Sequence, residues 1–521
     1  MLPPNCVPLT PIRFLHRAMD LFGRKVGIVC GSRQFTFAEF GERCLRLAAA
    51  LEDLGVRPGD RVAYLSFNTH QLMEGYYGVP MAGAVVMPLN VRLTATELAA
   101  ILAHSGARLL LYEADFEETA AALGVERRIR LDDEYEAILA SATPRRVDFM
   151  GVDEHSIAEL FYTSGSTGTP KGVALTHRTL YLHAMSVAMC YRDPTEMVDL
   201  HTIPLFHANG WGRAHASTMM GVKQVMVRRF DPVRVFELIH EHRASEMCVV
   251  PTMANALLAV PDVSAYDLTS MRQIHIGGAA SSPELIERME ARFPCPVFAG
   301  YGLTETAPVL TLARPKSDVT HASERARFER QAMTGWAIPG VELRVVDAEN
   351  VDVPRDGCSI GEVIARGDHI MTGYYEEPEA TRAVLIDGWL HTGDMAIWDE
   401  TGFIRIVDRK KEIIVSGGEN ISSLEVEKAI SAHPDVYECA VVAAPDEKWG
   451  EVPAAVVVLK DGASADAGTL IAFLEGRLAK FKMPRRIDFC TEPLPKTGTG
   501  KIRKVVLKER YWEGLPRRIQ G

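Results

Sequence analysis

Residues 162–172 read YTSGSTGTPKG and follow an apolar run, Ala158–Phe161. Gly165 and Gly168 let the backbone turn its N–H groups toward an anion. Thr163 leads into hydroxyl donors at Ser164, Ser166, Thr167 and Thr169, and Lys171 adds a positive charge. The stretch reads as a loop that cradles phosphate. It is not the pattern G-x-x-x-x-G-K-[ST], because Lys171 stands between proline and glycine. A flexible Ser/Gly linker is the plainer alternative, but linkers seldom fall directly after a buried strand with a lysine fixed beside them. Residue types point to phosphate and leave the nucleotide open.

Around this loop, apolar runs alternate with helical patterns. Strands are expected at Arg61–Phe67, Leu109–Tyr112, Ala158–Thr163, Val225–Val227, Met247–Val250, Gln273–Ile276 and Pro296–Ala299. Helices are expected at residues 36–55, stopping at Gly55, at Val233–His242 and at Pro283–Phe293. Such alternation needs crossovers, hence a parallel-rich sheet with helices on its faces: an α/β class. After about residue 335 short strands and turns take over, at Val341–Val346, Gly361–Ala365, Ala396–Trp398 and Phe403–Val407. Asp356-Gly357, Asp387-Gly388 and Thr401-Gly402 mark the turns of a small barrel-like unit. The charged run Asp408–Glu412 precedes a compact α+β pattern. Its parts are a helix Ser422–Ala432 opened by a Ser422/Glu425 capping box, strands Glu438–Ala443 and Ala454–Leu459, a helix Thr469–Lys480 and a strand Arg486–Phe489. The expected division is a large domain, 1–408, and a small mobile one, 409–521.

The chain has 521 residues, 47% hydrophobic and 24% charged, enough for a large core without covalent staples. Its net charge of −11 argues against nucleic acid as a partner. Nine scattered cysteines with no C-x-x-C pair argue against zinc and against a disulfide framework, and for a reducing, cytoplasmic setting. The N-terminus lacks a signal-peptide pattern and the last residues are not a peroxisomal tripeptide. The apolar stretch Gly78–Leu89 holds Pro80, Gly83 and Pro88 and is too short to cross a bilayer. The basic residues Lys480, Lys482, Arg485, Arg486, Lys501, Arg503 and Lys504 read as a solvated face, with phosphate contact by some of them as the alternative.

TSGSTGTPKG resembles the signature of the acyl-adenylate-forming superfamily. Further similar stretches occur in that family's order: PLFHANG at 204–210, GGAA at 277–280, YGLTET at 301–306, HTGD at 391–394, DRKKEIIVSGGENISSLEVE at 408–427 and PKTGTGKIRK at 495–504. They span nearly the whole chain. The resemblance implies an AMP-forming acyl-CoA synthetase that uses ATP, Mg²⁺ and coenzyme A on a small carboxylic acid, a medium- or long-chain fatty acid first. Its alternatives are a short-chain or aromatic acid, or a carrier-protein thiol as acceptor. It also implies roles. Tyr301 stacks on adenine, with Gly302 beside it; Thr304 meets phosphate, and Thr306 is among the nucleotide-binding residues. Glu305 and Thr167 hold Mg²⁺. Gly278 and Ala279 let adenine and acyl group approach the backbone. Asp394 and Arg409 hold ribose. Lys411 is the hinge between two domain orientations. Gly417 and Gly418 line the pantetheine path. Lys501 is the catalytic lysine. His207 gates the acyl pocket, orients the carboxylate or is core, and Trp211 borders the pocket or is core. Ser422-Ser423 stand where many members carry proline. A homodimer is a common habit of the family.

Overall fold

The computed structural model describes residues 6–145, 148–163, 170–191, 194–416, 419–446, 448–496 and 502–513. It divides into two compact units. One comprises Met1–Arg344, Ile364–His391 and Glu400–Ile404; the other comprises Val345–Val363, Thr392–Asp399 and Arg405–Gly521.

The first unit holds two parallel-rich sheets. The larger has nine strands, in the order Trp336–Ala337, Val309–Leu312, Val297–Gly302, Gln273–Ile276, Glu246–Val249, Val198–His201, Lys223–Met226, Val26–Cys30 and Arg33–Thr36. From Val297–Gly302 to Val26–Cys30 every pairing is parallel. The second has seven strands, in the order Gly373–Tyr374, Lys171–Thr176, Ile157–Thr163, Val85–Pro88, Arg61–Leu65, Leu109–Tyr112 and Arg127–Arg130.

Phe40 and Leu47 of helix Phe37–Asp53 and Tyr76 and Tyr77 of helix His70–Met81 share one core with Val62, Phe161 and Ile28 from both sheets. The outer face of the first sheet packs on helices Pro232–His242 and Pro283–Arg292, and that of the second on helix Ala95–Ser105. Helices and sheets therefore alternate in layers. His70–Met81 lies between the two sheets and is buried at every position, and its buried Glu74 is met by Arg43 and Tyr135.

The expected strands and helices of this unit are present within a few residues of their sequence positions. Asp387 and Gly388 both take positive φ, 51° and 78°, at the hairpin that pairs Ile386 with Trp389. A five-stranded sheet is formed from Glu342–Val346, Gly361–Arg366, Leu385–Ile386, Trp389–Trp398 and Ile404–Arg409, and the division of the chain runs through these strands.

In the second unit, strands Ile414–Ser416, Glu419–Ile421, Val436–Asp446, Gly450–Leu459 and Arg486–Cys490 make one sheet. Helices Ser423–Ser431 and Ala467–Leu474 bury Val426, Ile430, Leu470 and Leu474 against one face. Helix Lys504–Trp512 covers the other face through Leu507.

Three expectations change here. The helix foreseen at Thr469–Lys480 ends at Leu474, and Gly476 at φ 74° supports the turn beyond it. Ser422 caps its helix by accepting from the Glu425 N–H at 3.1 Å, but the Glu425 carboxylate binds Lys482 at 2.7 Å, outside the expected capping box. Lys504 is not part of a solvated face. Its ammonium lies 2.8 Å from Glu427 and 3.6 Å from Glu412, and donates to Ser423 Oγ at 2.7 Å. Burial opposes its charge, but Glu427, Glu412 and Asp408 outweigh it and raise its pKa.

Candidate active site

The phosphate-loop residues split at the limit of the described structure. Thr163 and Lys171 are register partners of two antiparallel strands. Ser164, Gly165, Ser166, Thr167, Gly168 and Thr169 themselves lie outside the described residues, as do Gly417, Gly418 and Lys501.

Lys171 faces the ring of Tyr374, its Nζ 4.9 Å from the centroid. The Tyr374 hydroxyl donates to Glu305 Oε1 at 2.9 Å, and the Met371 N–H donates to the Glu305 carbonyl at 2.8 Å. Tyr374 pairs with Val173 on the strand after the loop. A single segment, Met371–Tyr374, thus ties the proposed phosphate lysine to the proposed metal carboxylate. Tyr374 carries no catalytic signal of its own in the sequence. Among the described residues no side-chain partner reaches the second Glu305 carboxylate oxygen, and an oxygen of this kind suits a hard cation such as Mg²⁺.

Tyr301, Gly302, Thr304 and Glu305 are all half-buried at the end of Val297–Gly302. A Cβ on Gly302 would collide with the Pro308 carbonyl oxygen, so that position accepts only glycine. Thr306 differs from the expectation of a nucleotide-binding residue. It is fully buried, and its hydroxyl donates to the Leu303 and Pro308 carbonyls and accepts from the Leu303 N–H at 3.0 Å. Its bonds are used within its own turn.

Gly278 takes φ +75° and is exposed beside Ala279. Trp211 stands against Gly277 and Gly278: a Cβ on them would lie 3.3 Å and 3.4 Å from its ring. Trp211 sits in a left-handed turn, since every residue from Ala208 to Gly212 has positive φ. Such backbone costs about 1–3 kcal/mol per non-glycine residue and needs support from outside. Glu159 supplies it. This buried carboxylate accepts from Asn209 Nδ2 at 2.7 Å and lies 2.6 Å from His215 Nε2. His207 enters the same turn half-buried, its ring 4.7 Å from Phe206.

Trp211, Gly277, Gly278 and Tyr301 border a cavity of about 100 Å³. Deeper residues are Tyr191, Arg213, Cys248 and His275. This floor belongs to a buried polar layer. Asp199, Glu246, Gln273 and His275 alternate with Leu200, Met247, Ile274 and Ile276 along their strands. The apolar set faces the outer helices; the polar set faces helix Arg213–Met219. Arg213 joins Asp199 at 2.9 Å and Glu246 at 3.0 Å, while Gln273 donates to Glu246 at 2.7 Å. Ser217 donates to Asp199 at 2.8 Å.

In the second unit, Asp394 is buried and pairs with Arg409 Nε at 2.6 Å, which brings the two expected ribose residues together. Lys411 is exposed two residues further on. Lys496 is held by Glu438 at 2.6 Å.

Several histidines of the first unit are kept neutral mainly by burial: His177 and His369 are pushed down to about 4, His275 to about 3, and His183 and His201 also fall. A histidine with a lowered folded pKa binds its proton first in the unfolded chain, so stability falls as pH drops below about 6.5. His70 works in the opposite sense. Burial lowers it, but Cys30 and Glu136 raise it to about 9 overall. With His242, also lowered by burial, the balance is six against one, and the melting temperature is expected to fall by about 10 °C from pH 7 to pH 5. Calorimetry at the two pH values checks this; an unchanged transition contradicts it.

A tyrosine at a strand end bordering a cavity, and a lysine linked through Tyr374 to a carboxylate, suit an enzyme that holds a nucleotide against a small organic group. Comparison with known proteins agrees. Residues 15–375 match the AMP-binding enzyme family, and residues 425–501 match the AMP-binding enzyme C-terminal domain. The long-chain-fatty-acid–CoA ligase of Thermus thermophilus is 39% identical over 96% of this chain and 95% of its own. The peroxisomal benzoate–CoA ligase of Arabidopsis thaliana is 35% identical over 97% and 93%. The amide bond synthetase McbA from Marinactinospora thermotolerans superposes with a TM-score of 0.84 at 30% identity, over 96% of this chain and 99% of its own. The chain belongs to the AMP-binding enzyme family. All nine cysteines are free, and no helix among the described residues is long and apolar enough to cross a membrane.

Proposed function

We propose that this enzyme joins a compact carboxylic acid to coenzyme A through an acyl-AMP intermediate. The observation that carries the reading is the contiguous line Lys171–Tyr374–Glu305 on the same unit as a cavity that opens at Gly277–Gly278 and Tyr301. In the first step a carboxylate oxygen bonds to the α-phosphorus of ATP, and the bond to pyrophosphate breaks. Lys171 and Lys501 neutralise charge on the phosphates, and Glu305 with Thr167 would hold Mg²⁺, which supplies further neutralisation when bound. In the second step the thiol sulfur bonds to the acyl carbon and AMP leaves.

In this reading residues 1–408 bind acid and nucleotide, and residues 409–521 form the mobile domain. It turns about Lys411 to exchange Lys501 for Gly417 and Gly418. Asp394 and Arg409 bind ribose, Thr304 meets phosphate, and His207 borders the acyl group. The free cysteines support a reducing, cytoplasmic compartment, although relatives such as the benzoate–CoA ligase are named peroxisomal.

The sequence favours a medium- or long-chain acid. The polar floor supports a shorter one, because a long alkyl chain would have to displace the Arg213–Glu246–Gln273 bonds. Purified protein should form AMP only with acid, ATP and coenzyme A together. Benzoate or hexanoate should exceed palmitate by about tenfold or more in kcat/KM, the discrimination that about 1.4 kcal/mol provides. Acid-independent AMP release, or a preference for palmitate, would refute this reading.

A further inference from the structure

The apolar mouth of the acid cavity gives way to a floor that can form hydrogen bonds. His275 lies two residues down its strand from Gly277, about 7 Å deeper. It is 7% exposed, lines the cavity, and its Nδ1 has no hydrogen-bond partner among the described residues. A sealed, unpartnered ring nitrogen costs less as a bare lone pair than as an unmet N–H, which places the ring proton on Nε2. Nδ1 is sealed off, so Nε2 is the nitrogen that can meet a bound acid.

We infer that His275 is a specificity-determining residue, and that the acid this enzyme activates carries a neutral oxygen acceptor, a carbonyl or an ether-like oxygen, at the end remote from its carboxylate. The inference rests on the acid–CoA ligase reading above and deepens it.

Two features select the ligand chemistry. Burial first, then the positive charges of Arg213 and Arg314, hold His275 neutral, so its ring offers one N–H and one lone pair. A second carboxylate is a poor fit, because Asp199 and Glu246 already flank Arg213 and another buried anion would lack a counter-charge. The depth sets the size. About 7 Å spans one aromatic ring with its para substituent, or a chain of about five carbons.

The test uses acid pairs that differ in one acceptor: 4-methoxybenzoate against 4-ethylbenzoate, and 5-oxohexanoate against 5-methylhexanoate. In the full-length enzyme the oxygenated member of at least one pair should lead by about tenfold or more in kcat/KM for thioester formation, as expected where a site bonds a substrate oxygen. His275→Leu should bring that ratio to within about twofold. His275→Gln, which keeps a donor, should retain more of it than His275→Leu, and so separates hydrogen bonding from a packing defect. Ratios near one in the wild-type enzyme, an unchanged ratio in His275→Leu, or a preference for terephthalate over 4-methoxybenzoate would overturn the inference. Absence of thioester with every acid would instead remove the ligase reading, so the two failures are distinguishable.

Discussion

Arg213→Met is expected to destabilise the first unit by about 3–5 kcal/mol, lowering its melting temperature by about 10 °C and its soluble yield with it. The substitution leaves Asp199 and Glu246, both fully buried, without their shared cation. Gln273 can still donate to Glu246 and Ser217 to Asp199, but neutral donors do not cancel two buried charges. Combining Arg213→Met with Asp199→Leu and Glu246→Leu should restore much of the loss, because an apolar set avoids the desolvation cost altogether. Thermal melts of the single and triple variants test this. A single variant within 1 kcal/mol of wild type would show that the cluster is wetter than its burial implies.

Lys501→Ala is expected to slow acid-dependent pyrophosphate release by about a hundredfold or more, the usual scale for removing a group that stabilises developing charge. Thioester formation from supplied acyl-AMP should survive, because that step needs no charge on the α-phosphate side to be neutralised again. Stopped assays of each half-reaction separate the two. Equal loss in both would mean that the lysine serves general binding and not the first chemical step.

Much of the fold could be read along the chain. Leu109–Tyr112 forms a strand over the residues expected, because short apolar runs bounded by turns or helices have few other solutions in a parallel sheet. The helix after Ser422 begins where its cap requires. What misled was polarity. Lys504 looks like one more basic residue of a tail, yet Glu427 and Glu412 enclose it. Thr306 looks like a ligand within YGLTET, yet its own turn uses its hydroxyl.

The site was legible to a similar degree. Glu305, Tyr301 and Gly278 stand where the motifs suggest, at the ends of parallel strands. The residues that hold them are silent in the sequence. Tyr374 and Glu159 act through partners more than sixty and about fifty positions away respectively. Spacing rules reach only neighbours in the chain, so such pairs leave no local pattern.

The sequence by itself determined that this is an α/β chain, because apolar period and turn residues are local properties. Only the tertiary structure decided what the alternating polar residues of Val198–His201, Glu246–Val249 and Gln273–Ile276 do. Alternation alone reads as a strand with one wet face. Helix Arg213–Met219 covers that face and turns it into the charged floor beneath the acid cavity, because burial is a property of what packs across a strand and not of the strand itself.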